Sequence, residues 1–208
     1  MVLPRFYPIL DTDVAIRRGI EPVRAARAIL EGGAEILQFR HKGFLSREAF
    51  VWLERIAELV YTAGATLVVN DRADLAKLFG TGLHLGQDDL PPSIARRVVG
   101  PDTMVGYSTH NEGQLRLACG EPADYLALGP IFGTATKENP DPTVGLDEFR
   151  RVRPISNRPL VAIGGITRAN APQVLEAGAD SVAVIGDIFP EDGAVQARTK
   201  EWIRLLGS

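Results

Sequence analysis

Two short acidic segments carry the residues best suited to chemistry. Asn70-Asp71-Arg72 closes an apolar run that begins at Thr66, and His84-Leu85-Gly86-Gln87-Asp88-Asp89 closes the next one. A helix-length stretch separates them, which puts Asp71 and Asp89 just past the ends of two successive strands. Neighbouring strands of a parallel sheet lie about 4.8 Å apart, so carboxylates at the same end of both converge on one point. Hard oxygen ligands converging there suit Mg²⁺, which takes one or two carboxylates together with substrate phosphates. Phosphoryl or diphosphate chemistry is therefore the first expectation. A blander reading makes Asp71 the N-cap of the following helix, Asp88 the start of a turn, and His84 a packed core histidine rather than a ligand.

The elements that must position these residues alternate along the whole chain. The pattern predicts strands near Tyr7–Leu10, Glu35–Phe39, Thr66–Asn70, Gly82–His84, Met104–Ser108, Tyr125–Leu128, Leu160–Gly164 and Ser181–Ile185. Amphipathic stretches between them predict helices over Pro22–Glu31, Arg47–Ala63, Leu75–Leu78, Ser93–Val98, Glu112–Ala118, Leu146–Val152, Ala171–Ala177 and Gly193–Leu206. Pro22 and Pro92 sit near helix starts. Gly33, Gly64, Gly100 and Gly178 follow helix ends. Eight βα units point to an α/β protein with a closed (β/α)₈ TIM barrel, one domain over residues 1–208; a doubly wound open sheet is the competing architecture. One connection is long: residues 129–145, rich in glycine and proline, and expected to act as a lid.

Active sites of such barrels lie at the C-terminal ends of the strands. After the second strand comes Gln38-Phe39-Arg40-His41-Lys42. Period-two alternation aims Gln38, Arg40 and Lys42 one way and Leu37, Phe39 and His41 the other. Arg40 and Lys42 could hold phosphate oxygens; a solvated strand end is the bland alternative. Ser108, ending the fifth strand, is either a donor to substrate or a helix cap. Thr134-Ala135-Thr136-Lys137 on the long loop combines two hydroxyls with an ammonium. Gly164-Gly165 and Ile185-Gly186 end the last two strands, where these barrels recurrently bind phosphate; a tight turn would also explain the glycines. The rim thus divides into two anion sites with Lys137 between them. Neither a Ser-His-Asp spacing nor a Gly-x-Ser-x-Gly elbow supports nucleophilic catalysis.

Composition narrows the partners. The chain has 208 residues, 45% apolar and 24% charged, with net charge −3 and no basic run, which gives nucleic-acid binding no support. Cys119 is the single cysteine, so no intrachain disulfide forms. No apolar run approaches the roughly 20 residues that span a bilayer, and the first residues carry no secretory core. A cytoplasmic protein acting on small phosphorylated molecules is expected, and the sequence leaves a homo-oligomer open.

The segments quoted above, joined by Gly106-Tyr107-Ser108-Thr109-His110, Asp124-Tyr125 with Leu128-Gly129-Pro130-Ile131-Phe132, and Ala177-Gly178-Ala179-Asp180, resemble the thiamine phosphate synthase family in content and order over about residues 35–186. The resemblance implies a transferase that joins 4-amino-2-methyl-5-hydroxymethylpyrimidine diphosphate to 4-methyl-5-hydroxyethylthiazole phosphate, releasing diphosphate through a dissociative step. It implies that Gln38, Phe39, Arg40, His41, Lys42, Asn70, Ser108 and Lys137 bind the pyrimidine diphosphate. Asp71 and Asp89 would hold Mg²⁺, and Thr134, Thr136, Gly164, Gly165, Ile185 and Gly186 the thiazole phosphate. Lys137, Arg40, Lys42 and Ser108 are the expected catalytic groups. Two positions depart from the pattern: Gly186 stands where many members carry serine, and His41 where an acid is common. A thiazole tautomerase, sharing the barrel but needing no Mg²⁺, and a non-catalytic phosphate-ligand sensor are the alternative functions.

Overall fold

Eight short strands pair in parallel in chain order, and the last returns to the first. They are β1 (Phe6–Asp11), β2 (Ile36–Arg40), β3 (Thr66–Asn70), β4 (Gly82–Leu85), β5 (Val105–Thr109), β6 (Tyr125–Leu128), β7 (Leu160–Ile163) and β8 (Ser181–Val184), in a closed barrel. This is the expected (β/α)₈ architecture, and closure excludes the open sheet. The structure, a computed structural model, describes residues 2–133 and 141–207.

Helices α1 (Thr12–Arg17), α2 (Pro22–Glu31), α3 (Arg47–Thr62), α4 (Ala73–Phe79), α5 (Pro92–Val99), α6 (Glu112–Ala118), α7 (Leu146–Val152), α8 (Ala171–Glu176) and α9 (Val195–Leu206) cover the outside. The sequence reading misses α1, a short helix whose start is fixed by Asp11: its Oδ1 accepts from Val14 N at 3.0 Å. Elsewhere the start signals work as expected. Glu21 caps α2 ahead of Pro22, and Asn111 caps α6 by accepting from Gln114 N at 2.9 Å. Ser108 therefore does not serve as that cap.

Period-two alternation divides each strand between two cores. Leu37, Phe39, Val69, Leu83, Leu126, Ala162 and Val182 face outward into the helix layer. Tyr7, Ile9, Ile36, Val68, Tyr125, Ala127, Val161 and Ala183 fill the interior. The β8–β1 seam pairs Phe6, Tyr7 and Pro8 with Val182, Ala183 and Val184. Trp202 of α9 covers the seam, stacking on Phe6 with ring centroids 5.3 Å apart. Burial of large apolar side chains of this kind contributes roughly 1.5–3 kcal/mol each. Among the described residues no helix is long and apolar enough to cross a membrane.

Candidate active site

The C-terminal ends of the strands open into one cleft of about 1070 Å³, lined by Gln38, Arg40 and Lys42 from β2 and its extension, Asn70 and Asp71 from β3, His84 and the 86–89 loop from β4, and Ser108 and His110 from β5. A second cleft of about 650 Å³ lies beside it, lined by Gly133, Gly164, Gly165, Thr167, Gly186 and Asp187. The two share Ile163, Gly164 and Ile185 as a common wall.

The β2 segment divides as its alternation requires. Gln38 is buried, and its Nε2 donates to Tyr7 Oη at 3.1 Å. Arg40 pairs with Asp11, which is 3% exposed at the end of β1. Lys42 reaches Asp71 across the mouth. The side chains of Phe39 and His41, expected in the binding segment, do not reach this cleft. Phe39 packs in the outer core. His41 hydrogen-bonds Thr12 Oγ1 through Nδ1 at 2.8 Å and its ring lies against Phe39 and Trp52.

Asp71 is not a helix cap. Arg72 occupies the N-cap position of α4 without a side-chain hydrogen bond. Asp71 instead adopts φ +65°, the left-handed region that aspartate and asparagine enter more readily than other side chains. Its N–H donates to His84 O at 2.8 Å, locking the end of β3 to β4. Burial pushes its carboxyl up to about 6, the neighbouring Asp89 carboxyl pushes the same way, and Lys42 opposes both. Two carboxylates are thus held against each other in a partly dry site. Asp89 is braced by Gly86 N, which donates to its Oδ2 at 2.7 Å. No group of three or more His, Cys, Asp or Glu side chains placed to hold a metal ion is present among the described residues. A pair of hard oxygen donors without a full protein cage fits Mg²⁺, which keeps waters and substrate oxygens in its shell.

Behind the rim, polar groups continue into the barrel. Tyr7 Oη and Tyr125 Oη lie 2.8 Å apart, Tyr125 Oη is 2.9 Å from His84 Nδ1, and His84 Nε2 is 2.8 Å from Ser108 Oγ. Burial pushes Tyr7 up to about 12, raises Tyr125 well above the usual phenol value and lowers His84 to about 4. All three are neutral near pH 7. His84 is thus a buried core residue, as the bland reading had it, but with both ring nitrogens engaged. Asn70 Nδ2 is buried and has no hydrogen-bond partner among the described residues. Gln87 Nε2 donates to Ser108 O at 2.7 Å, fixing the end of β5.

In the second cleft Gly164 and Gly165 have φ +97° and +64°. A Cβ on Gly165 would lie 2.5 Å from Gly133 O, and one on Gly164 would lie 2.4 Å from Pro130 Cβ, so only glycine fits this cradle. Asn170 Nδ2 braces it from behind by donating to Gly165 O at 3.1 Å. Thr134, Thr136 and Lys137 lie outside the described residues, as does much of the expected lid. Asp11, Tyr7 and Tyr125 are the site residues that sequence reasoning passed over.

A closed parallel barrel with paired carboxylates, cations and a glycine cradle on its C-terminal rim belongs to the phosphate-handling (β/α)₈ enzymes. A family model described as thiamine monophosphate synthase matches residues 6–188. The chain is 47% identical over 212 aligned residues to the thiamine-phosphate synthase of Koribacter versatilis, covering 99% of this chain and 97% of that one. It is 40% identical over 198 residues to the thiamine-phosphate synthase of Chloroflexus aurantiacus, covering 93% and 88%. Among solved structures it resembles the thiamine phosphate pyrophosphorylase of Pyrococcus furiosus, with a TM-score of 0.85 and 30% identity over 98% and 95% of the two chains. The chain belongs to the thiamine monophosphate synthase family, transferases of thiamine biosynthesis.

Proposed function

We propose that this chain condenses 4-amino-2-methyl-5-hydroxymethylpyrimidine diphosphate with 4-methyl-5-hydroxyethylthiazole phosphate, or its carboxylated form, to give thiamine phosphate and diphosphate, with carbon dioxide also released from the carboxylated form. The observation that carries the reading is the pairing of Asp71 with Asp89 beside Lys42 and Arg40, in a cleft that shares a wall with the glycine cradle. Gln38, Arg40, Lys42, Asn70, Ser108 and Lys137 take the pyrimidine diphosphate; Phe39 and His41 contribute through backbone only. Thr134, Thr136, Gly164, Gly165, Ile185 and Gly186 take the thiazole phosphate, with Gly186 offering its N–H and no hydroxyl. Asp71 and Asp89 hold Mg²⁺. We place the protein in the cytoplasm as one barrel domain, residues 1–208, acting on two small phosphorylated molecules.

In the reaction the methylene C–O bond breaks and its electron pair leaves on diphosphate. The thiazole nitrogen lone pair then forms the new C–N bond. Charge grows on the leaving group, so cations already in place there are the strongest lever. Bound Mg²⁺ supplies charge neutralisation at the diphosphate. Lys42, half-exposed and paired with Asp71 in the free protein, exchanges that carboxylate for a diphosphate oxygen. Arg40 is held in position by Asp11. Asn70 offers to the substrate its Nδ2–H, which has no hydrogen-bond partner among the described residues. The neutral His84 adds no charge to the site and donates no proton to the leaving group. No protein nucleophile takes part.

The test is diphosphate release from purified protein given both substrates, with and without Mg²⁺. Release requiring the metal, the thiazole phosphate and both Asp71 and Asp89 is expected. Metal-independent release, or thiazole phosphate binding with no release, overturns the reading; the second outcome points to a tautomerase or a sensor.

A further inference from the structure

We propose that Tyr7, Tyr125 and His84 form a proton-ordered relay through the barrel interior that fixes the Ser108 hydroxyl as a hydrogen-bond donor into the cleft. The relay starts at Gln38 on β2 and ends at Ser108 on β5, and none of the three residues between them faces bulk solvent. Its direction follows from counting protons. Gln38 Nε2 is a donor, so Tyr7 Oη accepts there and its own proton goes to Tyr125 Oη. Tyr125 Oη has then accepted from Tyr7 and must give its proton to His84 Nδ1. An imidazole that accepts at Nδ1 has no proton there and carries it on Nε2, which donates to Ser108 Oγ. The Ser108 hydroxyl proton is left for the cleft.

Each link follows from the one before it, because the described residues offer these side chains no other hydrogen-bond partner and an unsatisfied buried group is costly. One choice at Gln38 therefore sets the polarity of five residues. Arg40 and Lys42 in the same cleft favour the Gln38 carbonyl outward and its amide inward. The amide turned the other way would reverse every link: His84 would carry the Nδ1 proton, and Ser108 would donate inward and face the cleft only as an acceptor.

The fold makes room for this relay at one position. Gly106 sits between His84 and Tyr125 in the strand register, opposite His84 on β4 and Tyr125 on β6. A Cβ there would lie 2.1 Å from Tyr125 Cζ, 2.4 Å from its Oη and 2.5 Å from His84 Nδ1. The missing side chain is the gap across which the phenol meets the imidazole. Tyr7, Tyr125 and His84 are positioning residues: they act on substrate only through Ser108. That the outward proton serves the pyrimidine diphosphate rests on the function proposed above.

Two measurements test the relay. The first is the tautomer of His84, read from two-bond ¹H–¹⁵N correlations of the labelled full-length protein. The chain has only three histidines, so a His84→Gln sample assigns the signal. The Nε2–H tautomer is expected in the wild type, with a mixture in Tyr125→Phe, which keeps the ring and removes the hydroxyl. A wild-type Nδ1–H tautomer overturns the proposal. The second is a cycle of Tyr125→Phe with Ser108→Ala, read as KM for the pyrimidine diphosphate. Tyr125→Phe should raise KM about tenfold, the worth of one net hydrogen bond, and have no further effect when Ser108 is already alanine. A merely structural Tyr125 would give independent, multiplicative effects, and that result also overturns the relay. An Nε2–H tautomer in a protein that releases no diphosphate would leave the relay standing and overturn the substrate reading instead.

Discussion

Replacing Asp71 by asparagine should stabilise the metal-free protein at pH 8 while removing its metal-dependent activity. The Asp71 carboxyl is displaced from 3.8 to about 6, by burial first and by Asp89 second, with Lys42 acting in the opposite direction. An acid whose folded-state pKa exceeds its unfolded value holds its proton more tightly in the fold, so ionising it costs stability. That cost is fully present above about 6, shrinks as pH falls through 6, and is gone below 3.8. The displacement corresponds to about 3 kcal/mol above both values. Asparagine carries no charge and tolerates the +65° φ at this position, so backbone strain does not enter. Lys42 is half-exposed and loses its partner at little cost.

For a chain of 208 residues each kcal/mol moves Tm by about 2–4 °C. Asp71→Asn should therefore melt about 6–12 °C above the wild type at pH 8 in chelator, and level with it near pH 4. Added Mg²⁺ should reverse the order, because only the wild type gains stability by binding it. Thermal melts across pH, with chelator and with Mg²⁺, read all three expectations. No gain at pH 8, a gain that ignores pH, or Mg²⁺ stabilisation retained by the variant would refute the reasoning that Asp71 and Asp89 form a strained metal-holding pair.

Gly106→Ala should destabilise by at least about 1–3 kcal/mol, since its Cβ meets Tyr125 and His84 well inside contact distance; wild-type denaturant stability would contradict the packing described. Asp11→Asn removes the buried partner of Arg40 and should cost about 2–4 kcal/mol. It should also raise KM for the pyrimidine diphosphate, and an unchanged KM would take Arg40 out of substrate binding. Lys137→Ala should lower turnover roughly 10²–10³-fold, as loss of a single oxyanion donor does; a near-normal rate would remove Lys137 from the mechanism.

Local pattern was enough to place the rim of the barrel. Alternating strands put Gln38, Arg40 and Lys42 on the site side and sent His41 away from it, and apolar runs ending at Asn70 and Leu85 brought Asp71 and Asp89 together. What local pattern could not supply was the identity of neighbours across the interior. Tyr7 and Tyr125 are 118 residues apart, and Tyr125 and His84 are 41 apart. Their meeting depends on the stagger of β1, β4 and β6 around the ring, which no single strand encodes. Asp11 was closer to reach: it ends an apolar run as Asp71 does, and the same rim argument extended to the first strand would have found it. Asp71 shows the opposite limit, because a residue that reads equally as cap or ligand is taken out of the cap position by one backbone angle, with its N–H bonded to His84 O. Alternation fixes which way a side chain points. Register around the closed ring fixes what it meets there, so in this fold the Asp71–Asp89 carboxylate pair is visible in sequence while the relay behind it emerges only from closure.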